Sequence, residues 1–69
     1  MKLALTGVVT TFDDGAGLGT ITADDGTTYA FHCTAIADGT RTIAVTTPVT
    51  FETRPAHRGT YEATAITPR

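Results

Sequence analysis

Residues 17–33 read GLGTITADDGTTYAFHC, and this stretch decides the fold class. Two short runs with alternating side-chain character, 17–23 and 27–33, flank the tripeptide Asp24-Asp25-Gly26. Asp-Gly readily adopts the positive φ angles of a tight hairpin turn, and an alternation of period two places successive side chains on opposite faces of a strand. The stretch therefore predicts a β-hairpin whose inner face carries Ile21 and Phe31.

Similar runs continue on both sides of this hairpin. Upstream, residues 3–12 form a first run that ends at the turn sequence Asp13-Asp14-Gly15. Downstream, an irregular stretch at 34–45 has room for one helical turn and precedes two further runs, 48–53 and 59–67. Short runs separated by turn residues at such intervals are typical of all-β sandwiches and barrels. We therefore predict five short strands.

The composition supports a small all-β domain. The chain has 69 residues and a mass of 7.2 kDa, which predicts a single domain over residues 1–69. It contains seventeen Thr and no Ser, Asn, Gln or Trp, and the β-branched Thr side chain favours strands. The inward positions predict a core of Val9, Ile21, Tyr29, Phe31, Ile36, Val49, Phe51 and Ile66.

Charge and cysteine content narrow the function classes. The net charge of −2 and the pI near 5.4 argue against a dedicated nucleic-acid binder, because such proteins are usually basic. The single Cys33 excludes an intramolecular disulfide and fits a reducing compartment. The sequence has no apolar run long enough to span a membrane. We therefore expect a cytoplasmic monomer without a membrane partner.

The sequence lacks the residue patterns of an enzyme. The acidic pairs at 13–14 and 24–25 precede Gly and predict turns, so we assign them no catalytic role. The nearest approach to a metal set, His32 and Cys33 with His57, matches no zinc-binding spacing. We therefore predict no catalytic residue, no metal site and no cofactor.

Five blocks of the sequence resemble the bacterial cold-shock proteins, in the same order and at similar spacing. Residues 7–13 (GVVTTFD) and 16–22 (AGLGTIT) are similar to the family's G-x-V-K-W-F-N and K-G-F-G-F-I, and residues 29–36 (YAFHCTAI) to its V-F-V-H-F-S-A-I. Residues 39–43 (GTRTI) and 49–52 (VTFE) resemble its G-F-K-T-L and V-x-F-E. The resemblance implies a five-stranded antiparallel OB-fold barrel. Family members bind single-stranded RNA or DNA by stacking bases on aromatic side chains of the first three strands.

Most of the family's stacking and lysine positions hold other residue types in this chain. Its Trp and Phe positions are occupied by Thr11, Leu18, Thr20, Ala30, Cys33 and Thr40, and its Lys positions by Thr10 and Ala16. We therefore expect weak, non-specific binding of single-stranded nucleic acid. The residues that the resemblance assigns to this binding are Phe12, Leu18, His32, Arg41 and Arg58. An alternative stays open, in which the same barrel is a protein-interaction or regulatory module with a partner that the sequence does not name.

Several of these residues also have a purely structural interpretation. Phe12 fits packing inside the barrel, and His32 fits an exposed strand position. Arg54, His57 and Arg58 lie around Pro55 in one predicted loop, where they could contact a phosphate backbone, although a short run of charge in a loop is usually just solvated. Cys33 fits a small side chain that fills the core.

Overall fold

The computed structural model describes residues 4–37, 39, 41–56 and 59–69. Five strands form the fold: β1 (Leu5–Asp13), β2 (Leu18–Ala23), β3 (Thr28–His32), β4 (Pro48–Pro55) and β5 (Tyr61–Pro68). A single 3-10 turn, Cys33–Ala35, follows β3 in the described part of the irregular stretch. The prediction of five strands is confirmed. The predicted residues Thr40, His57 and Arg58 lie outside the described residues.

The strands close into a barrel in the order β1-β2-β3-β5-β4. Four of the five pairs of neighbouring strands are antiparallel. The fifth pair, β3 with β5, is parallel, with Ala30 opposite Glu62, and is called the parallel joint below. The five-stranded barrel is confirmed, but the prediction that it is antiparallel throughout is wrong at this joint. An odd number of strands cannot alternate in direction around a closed ring, so at least one pair of neighbours must be parallel.

Strand β1 is shared between two halves of the barrel and carries a bulge. Residues 5–8 pair with β4, and residues 7–13 pair with β2. Val9 lies opposite Ile21, but Thr11 lies opposite Thr20, so Thr10 is the extra residue. A bulge of this kind bends and twists a strand. Here it leaves Thr10 and Thr11 both exposed between the inward-facing Val9 and Phe12, so the alternation of inward and outward side chains shifts by one residue within β1.

The core lies inside the barrel and agrees with the predicted set. Seven of the eight predicted residues are buried, and the eighth, Tyr29, is half-buried and packs against the rest. The Tyr29 ring lies 5.5 Å from that of Phe51, measured between centroids, in a tilted arrangement. Ala23, Cys33 and Ala63 complete the buried apolar set among the described residues.

One glycine sets the packing beneath the outer face of β1–β3. A Cβ added to Gly19 would lie 2.6 Å from the Thr11 carbonyl oxygen and 2.7 Å from Cζ of Phe31. The missing side chain lets the Phe31 ring fill the space under β2. There it stacks on Phe12, with ring centroids 5.9 Å apart and planes at 11°. The Phe12 and Phe31 rings thus form the layer of side chains directly beneath the outer face.

Candidate nucleic-acid interface

Two rows of outward-facing side chains cross strands β1, β2 and β3. The strand register places Asp13 opposite Leu18 and Leu18 opposite His32, which defines the first row. In the same way Thr11, Thr20 and Ala30 define the second row. Neighbouring strands lie about 4.8 Å apart, so side chains in a row are in lateral contact range. These rows hold most of the positions that the resemblance assigns to base stacking.

The first row brings together two of the predicted binding residues. Leu18 is 53% exposed, and the side chain of His32 beside it is also exposed. The pair offers an apolar surface next to an aromatic ring on a two-stranded platform. Asp13 closes the row, and its carboxylate accepts hydrogen bonds from the backbone N–H groups of Gly15 and Ala16 at 2.9 and 3.2 Å. Its negative charge therefore sits at the edge of this surface.

Local hydrogen bonds orient the His32 ring. The backbone N–H of Thr34 lies 3.2 Å from Nδ1, and the Thr34 hydroxyl lies 3.0 Å from the same nitrogen. Because a backbone N–H can only donate, Nδ1 accepts, and the neutral ring carries its proton on Nε2. No residue in the described ranges accepts a hydrogen bond from Nε2. The ring thus presents an oriented N–H donor at the surface, suitable for a phosphate or a base oxygen.

Hydroxyl groups, and no rings, cover the second row. The Thr20 hydroxyl lies 2.9 Å from that of Thr10 and 2.8 Å from that of Thr11. The Thr22 hydroxyl donates to Thr10 at 3.4 Å and extends the network along β2. Together with the methyl group of Ala30, these side chains present no aromatic face on which a base could stack.

The remaining predicted residues occupy other parts of the molecule. Phe12 is half-buried, and its ring contact with Phe31 places it in the layer beneath the two rows. Arg41 is exposed in the segment before β4 and forms no hydrogen bond or ion pair with another described residue. The structure therefore brings Leu18 and His32 together, with Phe12 below them. Arg41 is joined to neither row by a hydrogen bond or an ion pair.

The comparison with protein families agrees with the five-stranded barrel. A family model described as the 'Cold-shock' DNA-binding domain matches residues 5–68. The chain belongs to the cold-shock domain family. No curated protein sequence matches it. The family-model match confirms the resemblance to the cold-shock family that the five sequence blocks predict. The family consists of non-enzymatic nucleic-acid-binding OB folds.

This cold-shock domain has a further surface feature that the sequence did not predict. A groove lies where β3 and β5 run parallel, and its wall includes Tyr61, which is 57% exposed. Glu62 on β5 lies beside it in an ion pair with Arg54, which is on β4 and not in a loop as predicted. The sequence signal was an aromatic residue at the start of the fifth run. Its importance was hidden because nothing local shows that β5 pairs with β3.

Within the described ranges, no three His, Cys, Asp or Glu side chains come close enough together to hold a metal ion. The part of the chain that the structure describes contains no helix with the length and apolar character needed to cross a bilayer.

Proposed function

We propose that this cold-shock domain binds single-stranded nucleic acid weakly and without sequence preference through the first row. The observation that supports the proposal is the adjacent pair of Leu18 and His32, which are exposed side by side on β2 and β3. A base can lie against the Leu18 side chain and the imidazole ring, while Nε2 donates to a neighbouring oxygen. Such contacts use features that every nucleotide shares, so they do not select a base.

The weakness of the binding follows from the chemistry of the second row. A base stacked on an aromatic ring is worth about 1–3 kcal/mol by alanine substitution. Thr11, Thr20 and Ala30 contribute no such stack, and the hydroxyl groups of the two threonines already bond one another. We assign only the first row to stacking, with Phe12 supporting it from below.

Charge adds a second small contribution. We assign phosphate contacts to Arg41, from its exposed position, and to Arg58, from the sequence alone. Each phosphate contacted in a single strand lowers the slope of log affinity against log salt by about 0.7, so two contacts give a slope of about −1.4. Substitution of either arginine by Ala should flatten the slope by about 0.7.

The test is a titration of a labelled hexathymidine strand at low and at physiological salt. His32→Ala and Leu18→Ala should each weaken binding about fivefold or more, which is about 1 kcal/mol. Thr53→Ala is the matched control, because Thr53 is exposed on β4 and lies in neither row. If the folded protein fails to bind at low salt, the proposal is wrong, and a protein-interaction module becomes the better explanation. Equal loss in all three variants would also contradict the assignment to the first row.

A further inference from the structure

The groove at the parallel joint has the size of a ligand site. It is a groove open to solvent, with a volume of about 580 Å³, and it is lined by Ala30, Pro55, Ala56, Thr60, Tyr61 and Glu62. Small-molecule sites in proteins range from about 300 to 1,000 Å³. The groove shares Ala30 with the second row, because Ala30 lies opposite Glu62 across the joint. A single strand of nucleic acid that crosses the outer face of β1–β3 therefore reaches this groove next.

Tyr61 gives the groove an aromatic wall. It is the most exposed large apolar side chain among the described residues, at 57%. Pro55 lies opposite it on β4, and a hydrogen bond of 2.8 Å from the Ala56 N–H to the Thr60 carbonyl closes the strand ends around it. The small side chain of Ala30 leaves the space beside the ring open. The ring is thus held at the surface with room for a planar group.

Glu62 gives the groove a fixed hydrogen-bond acceptor. Both Nε and one terminal nitrogen of Arg54 contact the same carboxylate oxygen, Oε1, at 2.6 Å. None of the residues that the structure describes donates a hydrogen bond to the other oxygen, Oε2. An ionised carboxylate can only accept, so Oε2 selects a group that carries N–H protons. The Arg54 guanidinium offsets the negative charge and reduces its repulsion of a phosphodiester strand.

We infer that this groove binds one unstacked base bearing an exocyclic amine, such as cytosine, from the same single strand; the inference rests on the proposed function. The base stacks on Tyr61, and its amine donates to Glu62. Carboxylates accept from the cytosine N4 amine in this way at base edges. Thymine and uracil place a carbonyl oxygen at the equivalent position. Because that oxygen and the Glu62 carboxylate are both acceptors, they cannot form a hydrogen bond. The groove therefore adds selectivity at one position to a first row that has none.

The first experiment compares hexadeoxycytidine with hexathymidine, two strands of the same charge and similar ring size. The parent protein should bind the cytidine strand about fivefold more tightly. Glu62→Gln should bring that ratio close to one, because an amide can present either an oxygen or an N–H₂ group to the base. Glu52→Gln is the matched control, since it removes the same charge from β4 outside the groove and should leave the ratio unchanged.

The second experiment tests whether the base stacks on the Tyr61 ring. Tyr61→Phe keeps the ring and should bind within about twofold of the parent, whereas Tyr61→Leu keeps an apolar side chain and should lose about fivefold or more. The chain has two Tyr and no Trp, so stacking on Tyr61 should quench tyrosine fluorescence. Tyr61→Phe should abolish most of that quenching while affinity is retained, because Tyr29 is half-buried against the core.

The outcomes separate this inference from the proposed function. If neither strand binds the folded parent at low salt, both proposals fail. If both strands bind equally, or if Glu62→Gln and Glu52→Gln change the ratio alike, only the base-selective groove is wrong. Quenching that persists unchanged in Tyr61→Phe, or full affinity in Tyr61→Leu, would likewise overturn the groove and leave binding at the first row intact.

Discussion

Aromatic side chains introduced along the two rows should convert this barrel into a much tighter binder of single-stranded nucleic acid. The variant combines Thr11→Trp, Thr20→Phe and Ala30→Phe in the second row with Leu18→Phe in the first. The side chains in each row come from neighbouring strands, about 4.8 Å apart, and the two rows are separated by two residues, about 6.8 Å along a strand. Four rings at these positions form one continuous stacking surface.

The expected gain follows from the number of new stacks. Four stacks at the low end of about 1 kcal/mol each give about 4 kcal/mol, or close to three decades of affinity. The variant also removes the hydroxyl contacts of Thr20 with Thr10 and Thr11, at about 0.5–1.5 kcal/mol for each hydrogen bond. That loss falls on the stability of the fold and leaves the affinity of the folded protein unchanged, so thermal unfolding must be measured beside binding.

The assay is fluorescence anisotropy of a labelled hexathymidine strand, with the new tryptophan at position 11 as a second signal. The matched control places Leu at Thr11, Thr20 and Ala30, which adds apolar area without rings. The control should gain less than about tenfold over the parent. A folded aromatic variant that gains no more than this control would refute the reasoning, because the affinity would then depend on loop geometry and not on rings in the two rows. A parent that already binds with sub-micromolar affinity at physiological salt would contradict it as well.

Three further predictions concern the scaffold and are tested by unfolding measurements. Phe31→Ala should lower the free energy of unfolding by about 3–5 kcal/mol, since the ring is 2% exposed and supports Phe12; a loss below 1 kcal/mol would place it outside the core. Gly19→Ala should cost about 1–3 kcal/mol because its Cβ would clash with the Thr11 carbonyl oxygen and the Phe31 ring, whereas Gly15→Ala, whose Cβ would meet only Asp13 Oδ1 at 3.4 Å, should change stability little. The Thr27 backbone N–H donates to Asp25 at 2.9 Å and lowers the pKa of that carboxyl below its ordinary 3.8. The stability that Asp25→Ala loses should therefore be present at neutral pH and vanish as acid protonates the parent carboxyl below that value; a pH-independent difference would contradict this.

The candidate site was only partly predictable from the sequence. Leu18 and His32 could be placed on one face because each lies in a run of period two, and the hairpin turn between them sets their register. The position of Tyr61 relative to Ala30 could not be placed in this way. They are far apart in the sequence, and β3 and β5 share no turn that would set a register between them. The ion pair of Glu62 with Arg54 was missed for a different reason: the fourth run was expected to end at residue 53, with Arg54 in a loop, whereas β4 extends to Pro55 and places Arg54 opposite Glu62.

The sequence by itself determined the number of strands, their turns and the inward side of the runs that form β2, β3 and β4. These features are local, because Asp-Gly turn chemistry and the alternation of side chains act over a few residues. Tertiary structure alone decided the bulge at Thr10, the parallel joint of β3 with β5 and the groove beside Tyr61. All three arise from closing five strands into a ring, which must bend β1 and must bring two strands of the same direction together. No short window of sequence carries that constraint, since it belongs to the whole barrel.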